Sequence, residues 1–319
     1  ITTPMKKQSK RITSIGGQAL MEGILMRGPK QTSIAVRLPD GGLDVSTQPT
    51  RFLKDRVPLF KWPLLRGIAA MYDSLSVGFR AMEESVEKSS GEEEEASSGL
   101  DRWLEEHLGD KIYGVVMAIG GILGVALALV LFFLLPTQLV NWMKLATGDG
   151  IEPWRSLIEG VFRLALFVGY LALCGCQKDV RRVFQYHGAE HKTIACYESG
   201  EALTVENVRH HSRFHPRCGT SFMVLMLLIG VIAGFFIPIT NPFLRMIVKL
   251  LLLPLVVGIG YELIRLCGRC ENLVTRIIAA PGMWIQRLST KEPDDGMMEA
   301  AIRAIEAVIP ENGEDLVAS

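Results

Sequence analysis

The sequence predicts a mainly α, multipass membrane protein with four transmembrane helices, and three observations carry that prediction. Hydrophobic residues make up 49% of the 319, with a mean hydropathy of +0.26, at the apolar end of what soluble domains show. Residues 112–143 and 218–244 contain no Asp, Glu, Lys or Arg, and each exceeds the roughly 20 residues a helix needs to cross hydrocarbon. Lys and Arg also alternate in density. Sixteen precede the first uncharged run, seven lie between 178 and 217 and six follow from Arg265, against three and two in the intervening stretches. By the positive-inside rule the rich segments are cytoplasmic, which places both termini inside a bacterial inner (cytoplasmic) membrane.

Residues 1–88 form an N-terminal cytoplasmic region. Within it, residues 14–29 are rich in Gly and Met and follow neither the strand nor the helix period, so a shaped loop is expected. Glu22 and Arg27 bring charge into that loop and are candidate site residues. Residues 32–38 and 43–47 alternate about Pro39-Asp40-Gly41-Gly42, as a β-hairpin does. From 62 to 84, Leu64, Leu65, Ile68, Met71, Tyr72, Leu75 and Phe79 recur at helical spacing, and an amphipathic helix follows. Residues 89–99, four glutamates among Ser and Gly, bury too little to order themselves and read as a flexible linker.

Residues 100–176 hold the first two spans, at 113–135 and 157–176. Glu159 and Arg163 interrupt the second and, four apart, are expected to pair on one helix face. A cytoplasmic loop at 177–219 follows. Residues 220–266 hold spans three and four, at 220–239 and 246–266, with Glu262 about one turn inside the last; an ionisable residue there is a functional candidate. Residues 267–319 form a C-terminal cytoplasmic segment, with an interfacial stretch at 281–288 and a short helix at 297–309. No cleavable signal peptide is expected from the first 60 residues, which lack an apolar core followed by a small-residue cleavage site. The six cysteines fall near the cytoplasmic side, where thiols stay reduced, and Cys267-Gly-Arg-Cys270 alone is a weak metal or redox signal. The 34 Lys and Arg balance 34 Asp and Glu. No nucleic-acid partner is expected, and the partners implied are the bilayer and other membrane proteins.

Chemistry concentrates in Tyr186-His187-Gly188-Ala189-Glu190-His191. On a helix, His187 and His191 lie one turn apart on one face, and Glu190 completes an inverted H-x-x-E-H order, in which the carboxylate acts as base toward water at a metal. Zinc needs three or four protein ligands. The best source of the rest is His215-Pro-Arg-Cys218, at the start of span three, while Glu198, seven residues past His191, is too far along the helix axis. The expected cofactor is therefore zinc or another divalent transition metal on His187, His191, His215 and Cys218, with Glu190 catalytic. Two readings stay open: a metal-dependent hydrolase at the cytoplasmic face, and a membrane scaffold whose zinc is structural.

Five blocks carry a resemblance: residues 16–29, 184–194, 215–222, 261–265 and 281–294. Together they resemble the bacterial YqhQ-like family of multipass membrane proteins. That resemblance implies a metal-dependent enzyme, with His187, Glu190, His191, His215 and Cys218 as its metal-site residues, and it leaves Cys267 and Cys270 outside the shared pattern.

Overall fold

The computed structural model describes residues 11–90, 110–269 and 272–317. The expected linker lies almost wholly outside the described residues, as does Cys270. The chain divides into two compact units. The first comprises Ile1–Ser89, Leu171–Met226 and Val257–Ser319, and the second Ser90–Tyr170 and Leu227–Val256.

The first unit is built on a sheet. After β1 (Ile12–Thr13) come β2 (Gly16–Leu20), β3 (Gly23–Arg27), β4 (Gln31–Arg37) and β5 (Leu43–Pro49), and β2 to β5 form an antiparallel meander in chain order. The expected hairpin is there, as β4 and β5, but it is half of a four-stranded sheet. The loop expected at 14–29 is corrected to a strand pair, with Gly16 opposite Arg27 and Leu20 opposite Gly23. Its two-residue turn puts Glu22 in the left-handed region at φ +47. The strands escaped the alternation test because both faces are covered, so polar residues need not occupy every second position. Leu25, Ile34 and Val36 pack with Ala81 on one face, while Ile24, Met26 and Ala35 pack with Tyr186, Ala189 and Met297 on the other.

Helices supply those layers. A short α1 (Leu53–Arg56) precedes α2 (Leu65–Ser90). The latter starts three residues later than expected and runs six further; it buries Ala69, Gly78 and Ala81 and leaves Tyr72, Leu75 and Phe79 exposed. The sheet's other face is covered later in the chain, by one helix from the middle of the sequence and one near its end.

In the second unit α3 (Asp110–Leu129) passes through a π-helical turn, Val130–Leu134, into α4 (Leu135–Thr147). Further along the chain come α5 (Arg155–Cys174), α6 (Lys178–Ser199), α7 (Val205–His210), α8 (Gly219–Phe235), α9 (Pro242–Arg269), α10 (Leu273–Ser289), α11 (Asp295–Glu306) and β6 (Leu316–Val317), of which α6, α7, α10, α11 and β6 belong to the first unit. Helices α6 and α11 pack on each other and on β3, and β6 pairs antiparallel with β1. The interfacial stretch expected at 281–288 lies inside α10.

Three helical segments are long and apolar enough to cross a membrane: Ile119–Thr147, Asp149–Cys174 and Pro242–Gly268. The remaining expected span is α8, apolar but only 17 residues long, about 25 Å at 1.5 Å per residue. Within the second unit the expected Glu159–Arg163 pair is not the one formed. Glu159 instead lies 2.9 Å from Arg245 and also pairs with Lys249, whereas Arg163 donates to the Phe132 carbonyl at 2.7 Å. A lysine and an arginine on another helix solvate the buried carboxylate better than one intrahelical partner can.

Candidate metal centre

Helix α6 carries the motif on one long buried face and ends at a glycine. Gly200 closes it in the left-handed conformation, φ +78, the usual glycine stop. The face bearing His187, Glu190 and His191 turns inward, and Glu190 and His191 are 6% and 2% exposed. The two rings meet edge to face with centroids 4.4 Å apart.

Cys218, one residue before α8, completes the cluster. Its Sγ lies 3.2 Å from His187 Nε2, and the donor atoms of His187, His191 and Cys218 all fall within 4.8 Å of one another. Each histidine is held from behind by a backbone carbonyl. His187 Nδ1 is 2.8 Å from Ser289 O, and His191 Nδ1 is 2.6 Å from Arg213 O. A carbonyl only accepts, so both Nδ1 atoms carry hydrogen and each Nε2 is left as the coordinating nitrogen. That is how proteins orient metal-ligating histidines. A tetrahedral zinc with Zn–N near 2.0 Å and Zn–S near 2.3 Å spaces N and S about 3.5 Å apart, a distance this cluster matches with small adjustment. The residues fit a metal.

Electrostatics point the same way. Burial alone would raise the Cys218 thiol, but hydrogen bonds and positive charge from His187 and His191 outweigh it and bring the group well below the usual thiol value. Burial would lower His187, yet the Cys218 hydrogen bond and charge, with help from Glu190 and the Ser289 carbonyl, raise it to about 9. Both shifts have one cause, the closeness of the Cys218 Sγ to the His187 ring. Glu190 is raised above the ordinary carboxylate range, chiefly by burial, with His187 and His191 opposing. It packs on Gly17 of β2 so closely that a Cβ there would stand 2.9 Å from Glu190 Cδ. The strand therefore presses the carboxylate against the helix.

His215 lies beside this cluster, its ring centroid 5.7 Å from that of His191. Its Nε2 faces Glu198 Oε2 at 3.5 Å, and burial lowers its pKa. Gln286, fully buried, pins the turn: its Oε1 accepts from His215 N at 2.8 Å and its Nε2 donates to His215 O at 2.7 Å. Glu198 is thus the hub of a second network, accepting from Arg217 and from Thr13 N, while Thr13 Oγ1 donates to Asp315 at 2.7 Å. Burial would raise the Glu198 carboxyl, but His215, Arg217 and the Thr13 N–H hold it below the ordinary range.

The other candidates lie elsewhere. Glu22 pairs with Arg182 and lies 3.4 Å from the Tyr186 hydroxyl. Arg27 donates to Arg51 O at 2.8 Å and faces Asp73 at 3.9 Å, and Glu262 accepts from Arg66 Nε at 2.6 Å. Sequence reasoning missed Gly17, the Ser289 and Arg213 carbonyls, and the Glu198 hub. For Glu198 a signal existed, since position i+7 returns to the helix face of His191; backbone carbonyls leave no trace in residue identity.

A family model described as "Protein of unknown function (DUF1385)" matches residues 62–311. The chain belongs to the DUF1385 family. Its match spans α6, the segment from Arg213 to Cys218 and α10, which together supply the cluster and its backing carbonyls. The "Uncharacterized protein YqhQ" of Bacillus subtilis (strain 168) is similar to this DUF1385 chain, 32% identical over 304 residues that cover 92% of each. No solved structure matches it.

Proposed function

We propose that this protein binds zinc, or a related divalent transition metal, on His187, His191 and Cys218, and uses Glu190 as the general base of a hydrolysis at the cytoplasmic face of a four-span membrane protein. The single observation behind this is the convergence of three donors whose two histidines are each oriented by a carbonyl. Catalytic zinc sites keep three protein ligands and an open position, and a trio fits that pattern. When bound, the ion supplies Lewis acidity and lowers the pKa of water.

Every other part is the chain's own. Glu190, raised above the ordinary carboxylate range by burial, accepts a proton from water as the water oxygen bonds to a carbonyl or phosphoryl centre. The bond to the leaving group then breaks, and the leaving group takes that proton. Gly17 fixes the carboxylate's position. The substrate class is a peptide or a lipid headgroup presented at the membrane surface.

Four crossings are supported by parity as well as by charge. The β1–β6 pairing holds Thr13 opposite Leu316, which favours an even number of crossings between them. Three long helices with α8 as the fourth satisfy this.

A second reading has its own observation. Glu190, His191, His215 and Cys218 are all at most 9% exposed, and a closed site with His215 as fourth ligand would be structural, pinning α6 to α8 in a scaffold. Metal analysis of the purified full chain, wild type beside His187→Ala and Cys218→Ala, tests both. About one zinc per chain, lost in both variants, supports the site, and no metal after zinc is offered sinks it. Glu190→Gln then separates the readings: hydrolysis of lipid or peptide substrates disappears with zinc retained if Glu190 is the base.

A further inference from the structure

Away from the candidate metal centre, the first unit contains a cavity of about 540 Å³ whose lining is unusually cationic. Arg27, Lys54, Lys61, Arg66 and Arg265 face it, against the carboxylates of Asp55 and Asp73. Two of these charges are already engaged: Asp73 accepts from Leu53 N and faces Arg27, and Arg66 is bound in a fork by Glu262. Among the described residues, Lys54, Lys61 and Arg265 form no ion pair. The Arg27 Nε is buried there without an acceptor, and an unmade hydrogen bond to a charged group is expensive to maintain. Phe52 holds two of the cations in place, with the Arg27 guanidinium 4.4 Å and the Lys54 ammonium 4.6 Å from its ring centroid.

We propose that this cavity binds the phosphate group of an anionic ligand. A dianionic or monoanionic phosphate answers the ammonium groups of Lys54 and Lys61 and the guanidinium of Arg265 together, and an arginine fork matches phosphate oxygens as it matches carboxylate. The volume suits a headgroup-sized molecule. Its surroundings name two sources of that chemistry. Arg265 lies one turn from the end of the apolar segment Pro242–Gly268, and the same stretch that contributes Lys61 exposes Leu59 and Trp62, at 53% and 66%. Basic residues beside an exposed tryptophan at the end of an apolar helix are the arrangement that meets a phospholipid headgroup. A soluble phosphate ester is the other source.

The test is native mass spectrometry of the full-length chain in detergent, offered phosphatidylglycerol, phosphatidylcholine and glycerol 3-phosphate in parallel. Phosphatidylglycerol retained above phosphatidylcholine identifies a lipid headgroup, and glycerol 3-phosphate bound without lipid preference identifies a soluble ester. In either case Lys61→Gln and Arg265→Gln each weaken binding about fivefold, the effect of one cation near an anionic headgroup. Lys54→Gln, at an exposed position, repeats the test with a third side chain. Thermal midpoints matching wild type show that each variant is folded, and unchanged zinc content separates this site from the metal centre. Equal retention of both lipids with no glycerol 3-phosphate bound, or binding that the folded variants leave unaltered, overturns the proposal.

Discussion

Two buried polar clusters, one in each unit, handle the same problem in opposite ways. Around Glu159 the protein supplies the countercharges itself, although Glu159 Oε1 accepts no hydrogen bond. Arg245, 1% exposed, gives its Nε to Glu159, its Nη1 to the carbonyls of Ile237 and Ile239, and its Nη2 to Ser156 Oγ and Gly234 O, while Lys249 adds a second cation. Around His187 the protein fixes the far side of each ring and leaves the near nitrogens and a low-pKa thiol facing one point. A closed cluster of ions stabilises a fold. An open cluster of aligned donors is the arrangement that the proposed metal would fill.

The sharpest way to break that contrast is Arg245→Met. It strands Glu159 in the interior, and losing one partner of a buried ion network costs about 3–5 kcal/mol. A steep drop in thermal midpoint and folded yield is expected, and an unchanged midpoint would show that the network is not structural. At the open cluster the readout is metal, not fold. His187→Ala and Cys218→Ala should lower zinc affinity by more than the ~10–100-fold that loss of an outer-shell partner costs, while His215→Ala should stay within that range. If His215→Ala instead empties the site as fully as Cys218→Ala does, the cluster is closed by four ligands and the contrast fails.

Smaller effects sharpen it. A Cβ at Gly17 would stand 2.7 Å from Leu25 O and 2.9 Å from Glu190 Cδ, so Gly17→Ala should cost about 1–3 kcal/mol as overpacking does, and should displace Glu190 without removing a metal ligand. Zinc retained with a lowered melting point is the expected pair of results. The Glu198 carboxyl, depressed by His215, Arg217 and Thr13, contributes stability that is present above its unfolded pKa and lost as pH falls through its lower folded value. Melting midpoints measured downward from pH 6 should fall less in Glu198→Gln than in wild type; parallel curves would contradict this. Least of all should come from Arg182→Gln, whose side chain is 46% exposed in its pair with Glu22, a loss of about 0–1 kcal/mol.

How much of this was legible depended on where the information sits. The α6 motif was readable because i, i+3 and i+4 positions on a helix are geometry in themselves, and Cys218 followed from its place just before an apolar run. The hairpin at β4 and β5 showed because its outer strand faces solvent and alternates. Strands β2 and β3 did not, since Ile24, Leu25 and Met26 are all buried and no period survives when both faces are covered. Glu159's true partners were hidden for another reason: charge spacing within one helix says nothing about a lysine and an arginine some 90 residues on.

The pairing of β1 with β6 carries a consequence for how the chain is made. Thr13 and Asp315 are 302 residues apart, so at 5–20 residues per second the ribosome needs roughly 15–60 s between them. Through that interval the sheet face with Met26 and Ala35 has at most α6 upon it and lacks α11. The strand β1 is therefore among the last parts of the sheet region to be finished, and a nascent chain stopped before α11 presents a sheet face that is only partly covered.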